Sequence, residues 1–159
     1  MNDGFVIERV DDKWVGHVWA YAMPLWEGAK GASVKVALRE PGFLTWVAYT
    51  RPHDAALGPQ WPVGIAQAWR VGKGHPCDEP KPGGAWRMSG LFVAEDERHQ
   101  GIGFALQKAR FEFLRDVMMA DTIDSFAFKP APLVALGFSP MRVFKMGTTR
   151  VVWKRTGRQ

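Results

Sequence analysis

The chain has 159 residues, 47% of them apolar and 23% charged, which fits one globular domain with a single core and excludes global disorder. A lone cysteine, Cys77, excludes an internal disulfide framework and a cysteine-ligated zinc finger. No apolar run approaches the roughly 18 residues that span a bilayer, and Met1-Asn2-Asp3-Gly4 lacks the basic start of a signal peptide, so the expectation is a soluble cytoplasmic protein. The net charge of +5 lies at one end. Residues 139–159 carry Arg142, Lys145, Arg150, Lys154, Arg155 and Arg158 and no acid. A basic end is a weaker footprint for nucleic acid than a basic body.

Phe5 to Val10 reads as a strand, and Asp11 and Asp12 offer an N-cap to a helix over Lys13 to Met23 that Pro24 ends. Phe43 to Thr50 is rich in β-formers, and Val63 to Val71 alternates well enough for a second strand of a sheet. The intervening Arg51 to Pro62 and the later Gly72 to Gly84 are dense in Pro and Gly and read as loops. Trp86 to Val93 reads as a further strand. Gly101 to Met119 reads as a helix with Ile102, Leu106, Ala109, Phe113 and Val117 at steps of three and four. A short strand at Ser125 to Phe128 follows, then at most two helical turns over Pro130 to Leu136. Two closing strands run over Ser139 to Met146 and Thr149 to Lys154. The expected fold class is α/β in the α+β sense, with a largely antiparallel sheet flanked by helices and one βαβ crossover over residues 86–128.

Chemistry concentrates where the strand ending in Val93 runs through Glu95-Asp96-Glu97-Arg98-His99-Gln100 into a helix that opens on Gly101-Ile102-Gly103. A helix start presents unpaired N–H groups and the positive end of the helix dipole. Glycine lets an anion approach the backbone, and Arg98 adds a charge-assisted contact. The segment Arg98-His99-Gln100-Gly101-Ile102-Gly103 resembles the pyrophosphate-binding motif of the GCN5-related N-acetyltransferases (GNAT), which is Arg or Gln, two residues, Gly, one residue, then Gly or Ala. The order of elements is similar to that family across roughly residues 60–155.

The resemblance implies acetyl-CoA as cofactor and transfer of an acetyl group to the amine of an acceptor, a small molecule or a protein. It implies pyrophosphate contacts from the backbone of Arg98, His99, Gln100, Gly101, Ile102, Gly103 and Phe104. It also implies that the pantetheine arm pairs with Leu91, Phe92 and Val93 as an added strand. Such pairing needs a splayed strand, and Gly90 is a place for the bulge that opens it. The family often carries a Tyr four residues before a Gly-Phe pair as general acid. Gly137-Phe138 is present here, but the matching position is Leu133. The Asn common upstream is absent too, since the one Asn of the chain is Asn2. These departures support a second reading, a binding module on the same fold that acts by holding a partner protein.

Other candidates carry blander readings. Ser89 and Ser125 fall on the strands that would flank the cofactor, and Tyr21 and Tyr49 are the chain's tyrosines; none is assigned a catalytic role. His75, Cys77, Asp78 and Glu79 match no zinc-site spacing and read as a solvated loop, so no metal is expected. A dinucleotide fingerprint at Gly101-Ile102-Gly103 fails because Leu106 replaces the third glycine. Eight tryptophans suggest core packing, with a Trp-rich face for a protein partner or homodimer as the alternative. The basic end reads as a solvated sheet edge. A nucleic-acid target, such as the amine of an aminoacyl-tRNA, ranks below the other readings.

Overall fold

The β-branched and aromatic runs become strands, and the chain assembles them into one sheet. In this computed structural model the described residues are 4–10, 43–49, 62–72, 81–93 and 101–156. The expected helix at Lys13 to Met23 lies outside them. The elements are β1 (Val6–Val10), β2 (Phe43–Tyr49), β3 (Pro62–Val71), β4 (Ala85–Val93), α1 (Ile102–Asp116), β5 (Thr122–Ala127), α2 (Ala131–Ala135), β6 (Ser139–Val143) and β7 (Thr149–Lys154). The sheet has seven strands in the order β1-β2-β3-β4-β5-β7-β6. Neighbours are antiparallel except β4 and β5, which run parallel because α1 carries the chain across between them. The α+β sheet expected from the sequence is therefore present. Among the described residues, no helix is long and apolar enough to cross a membrane.

Three elements differ clearly from the sequence reading. β6 stops at Val143, not Met146, because the chain turns there, with Phe144 N–H donating to Thr148 O at 2.8 Å. The helix ends at Asp116, not Met119: the N–H groups of Val117 and Met118 both donate to Phe113 O, at 2.9 and 3.0 Å, and Met119 turns the chain at φ 51°. Its buried face also differs. Ile102, Leu106, Gln107, Arg110, Phe111 and Leu114 face inward, while Val117 is 57% exposed. Two polar residues share the buried stripe, so an apolar count alone draws the stripe off-centre. The fifth strand begins at Thr122 and includes Asp124, an acid that a propensity reading leaves out.

Asp124 is tolerated inside the sheet because two arginines meet it. Arg87 on β4 donates from Nε and Nη2 to its two carboxylate oxygens at 2.9 and 3.0 Å, and Arg150 on β7 reaches Oδ2 at 3.2 Å. A bidentate guanidinium fixes geometry as well as charge. Two cations of the basic end are therefore built into the fold. Arg150 staples β7 to β5, and Arg155 donates from Nε to Ala120 O at 2.9 Å, closing the chain behind α1.

The core fills the space between the sheet and α1. Trp46 and Phe113 meet edge to face at 5.6 Å. Phe111 touches Phe138 and Trp153 at 5.3 and 5.4 Å, which ties α1 to the C-terminal strands. Trp46 and Trp86 are buried, Trp69 and Trp153 half-buried; the described tryptophans form no exposed aromatic face. Trp14, Trp19, Trp26 and Trp61 lie outside the described residues.

Tyr49 is 2% exposed on β2, and burial, with the Glu8 charge adding to it, pushes its phenol up to about 12 from 10.0. The folded state thus holds a proton that the unfolded chain releases near pH 10. Stability from this group is full below pH 10 and falls as pH rises from about 10 to about 12, by on the order of 2 kcal/mol. Denaturant melts across that range should show the fall, and Tyr49→Phe should remove it. Asp124→Ala leaves two arginines without their acid and should cost about 1–3 kcal/mol in the same melts.

Candidate functional site

Parallel β4 and β5 stay paired for only four residues. The ladder runs from Ala85 opposite Thr122 to Met88 opposite Ser125 and stops there. At its end Ser125 Oγ donates to Met88 O at 2.9 Å. Beyond that point β4 continues against β3 alone. The β3–β4 register shifts between Ile65 opposite Phe92 and Gln67 opposite Ser89, so β4 carries one residue more than β3 over this stretch. This is a bulge at Gly90 and Leu91, the position the sequence suggested. Gly90 has φ +68°, and a Cβ there would stand 2.7 Å from Gln67 Oε1. The backbone angle favours glycine, and any larger residue would also displace the Gln67 amide.

The parted strands open a cleft of about 800 Å³. Ser89, Gly90 and Leu91 of β4 line one side, and Ser125, Phe126 and Ala127 of β5 the other. The start of α1 closes one end with Gly103 and Phe104. Gly101 takes the N-cap place at φ 84°; no side chain caps the helix and no acid stands in its first turn. Its first N–H groups are thus left without a side-chain partner, and its dipole without an opposing charge from that turn. α1 lies this close to the sheet because Gly64 of β3 has no side chain: a Cβ there would meet Leu106 Cδ1 at 2.9 Å.

The predicted site residues separate into groups. Leu91, Gly103 and Phe104 line the cleft. Phe92 and Val93 pair with Ile65 and Gly64 of β3 and are not among its lining residues. Ile102 is 1% exposed and points into the core, so only its backbone is available. Gly101 stands at the helix start. Arg98, His99 and Gln100 lie outside the described residues, as do Tyr21 and the His75, Cys77, Asp78 and Glu79 group. Among the described residues no cluster of His, Cys, Asp and Glu fits a metal ion.

No general acid stands where the family resemblance would put one. Leu133, on α2, is 1% exposed and packs in the core, though its edge reaches the cleft wall. Tyr49 does not line the cleft. The Ser125 hydroxyl is spent on Met88 O, as its structural reading anticipated.

Sequence reasoning passed over the polar group beneath the bulge. Arg110 of α1 is 2% exposed and donates from Nη1 to Gln67 O and to Ser89 O, each at 2.8 Å. Burial pushes its guanidinium down to about 9, which leaves it charged at neutral pH. Gln107 and Arg110 both line the cleft. Gln67 Nε2, Gln107 Oε1 and Arg110 Nε are buried with no hydrogen-bond partner. A polar residue at every third or fourth helical place that coincides with the apolar stripe is the one signal in sequence that marks such a group.

No protein-family model matches this chain, and no curated protein is similar to it in sequence. Solved structures are similar in fold. NAA60 from Arabidopsis thaliana, in complex with a bisubstrate analogue, shares 12% identity, with 96% of this chain and 99% of that chain covered and a TM-score of 0.64. The GNAT family N-acetyltransferase YhbS from Escherichia coli, in complex with CoA, shares 19% identity over 95% of this chain and 81% of that one, with a TM-score of 0.64. Aminoglycoside 6'-acetyltransferase type Ii shares 14% identity over 97% and 99%, again with a TM-score of 0.64. The fold of this chain is that of the GCN5-related N-acetyltransferases.

Proposed function

We propose that this chain is a single-domain GNAT-family N-acyltransferase that takes an acetyl group from acetyl-CoA and passes it to an amine. The observation that carries the reading is the splay of β4 from β5 beside an uncapped, acid-free helix start. A strand edge in a cleft offers hydrogen bonds to an extended amide chain, and a bare helix start offers them to a diphosphate. Coenzyme A carries both groups. The residues assigned to hold it are Leu91, Phe92 and Val93 for the arm, and Arg98, His99, Gln100, Gly101, Ile102, Gly103 and Phe104 for the diphosphate. When bound, acyl-CoA supplies an activated thioester. The chain's own part is to orient that thioester, exclude water and offer β4 N–H groups to the carbonyl oxygen as negative charge develops on it. An acyl-CoA substrate also fits a cytoplasmic setting.

One observation favours a second reading, a binding module that acts on a partner protein with weak or no transfer. The place of the usual acid is a core leucine, Leu133.

Titration calorimetry of the whole chain with CoA should show saturable one-to-one binding; no heat at millimolar CoA overturns the proposal. Gly103→Trp is a clean probe, because a Cβ at Gly103 meets only Val93 Cγ2, at 3.7 Å, and the ring would fill the cleft. It should leave the melting temperature nearly unchanged and weaken CoA by at least about tenfold, or 1.4 kcal/mol. Gly90→Ala should act through the fold instead, costing about 1–3 kcal/mol of stability. Thiol release from acetyl-CoA over a panel of amines separates the two readings. Amine-dependent release supports transfer, and tight CoA binding without release supports the binding module.

A further inference from the structure

We propose that Arg110 is a positioning residue: it holds the β3–β4 bulge in shape from below and so keeps the cleft open. A bulge takes carbonyls out of the ladder, and a buried carbonyl needs a donor. Here the two carbonyls beside the bulge that take a side-chain donor are Gln67 O on β3 and Ser89 O on β4, whose residues are paired in register immediately before the shift. One nitrogen, Arg110 Nη1, serves both at 2.8 Å. The contact spans the two strands and reaches them from the third turn of α1, so it also locks the helix to the bulge. Gln67 meets the bulge at two points: its carbonyl accepts from Arg110, and its side chain occupies the space a Cβ at Gly90 would need.

A purely space-filling role does not explain an arginine at this place. The side chain is 2% exposed, and among the described residues no carboxylate pairs with it. Burying a cation without an acid is costly, and an apolar side chain of similar volume would avoid that cost. An apolar side chain would, however, leave both bulge carbonyls without their donor. The role of Arg110 in cofactor binding rests on the acyl-CoA reading; its role in holding the bulge does not.

The test compares Arg110→Met, Arg110→Lys and Val151→Ala. Val151 is fully buried on β7, outside the bulge, and its truncation supplies a control loss of stability. Amide hydrogen exchange is measured on each whole chain without ligand, at a temperature where all are folded. Arg110→Met should raise exchange over residues 85–93 by about tenfold or more relative to Val151→Ala, and Arg110→Lys, which keeps the donors, should restore it to within about threefold. Equal exchange in Arg110→Met and Val151→Ala overturns the proposal. If Arg110→Met does not fold, Arg110→Gln replaces it, its amide being too short to reach both carbonyls. CoA affinity is then read by calorimetry. A loss of about tenfold in Arg110→Met that Val151→Ala does not share supports the link to the cleft, and equal affinity overturns that link. Wild-type protein that fails to bind CoA overturns the functional reading alone, and the exchange comparison still decides the role of Arg110.

Discussion

Two parallel strands cannot stay hydrogen-bonded and also leave room for a ligand between them. In this chain β4 and β5 settle that conflict by pairing over four residues and then parting. Parting removes ladder hydrogen bonds, each worth about 1 kcal/mol net and more if a buried group is left bare. The fold offsets the loss at three places in sequence along β4. At Arg87 the Asp124 carboxylate staples the strands together just before they separate. At Met88 the Ser125 hydroxyl caps the last shared carbonyl. At Ser89 the carbonyl turns to Arg110. The devices come from two neighbours, β5 for the first two and α1 for the third, so the opening is held from both sides.

The same opening fixes where α1 starts. Gly64 lets the helix press onto β3, and Ile102 and Leu106 anchor its first turns in the core. The uncapped N-terminus is thereby placed at the end of the cleft. A ligand that spans both the strand edge and the helix start meets groups held by one rigid packing contact. Preorganisation of that kind lowers the ordering cost of binding.

Strands and their order were legible because their β-formers are concentrated between loops dense in Pro and Gly. The bulge was legible too, because Gly90 interrupts a run that is otherwise strand-like. The polar floor was not. Gln107 and Arg110 sit in the middle of a helix, where sequence patterning assigns polar residues to solvent, and the carbonyls that hold Arg110 lie on two strands some 20 and 40 residues away in sequence. Asp124 hid the start of β5 for the same reason: its partners, Arg87 and Arg150, are 37 and 26 residues distant. Long-range polar pairing leaves no local sign of the partner. The basic end shows the converse. Of the six cations read as a surface feature, Arg142, Lys145 and Lys154 are exposed, while Arg150 and Arg155 also bond within the fold.

Binding and chemistry also draw on different parts of the chain. The features that suit a coenzyme are backbone features: a splayed edge, a bulge, a helix start. They survive wide changes of side chain, which is consistent with a shared fold at under a fifth of identical residues. A general acid is a single side chain, and at position 133 it is a leucine packed in the core. Its absence weighs less than it first suggests. A positioned acid or base typically contributes about 10²–10⁴-fold. A thiol is a far stronger acid than an alcohol, so a thioester's sulfur can leave as the thiolate without prior protonation. In the proposed transfer, orientation and charge stabilisation at the carbonyl are therefore the larger demands, and both would fall to the β4 edge that Arg110 braces from below.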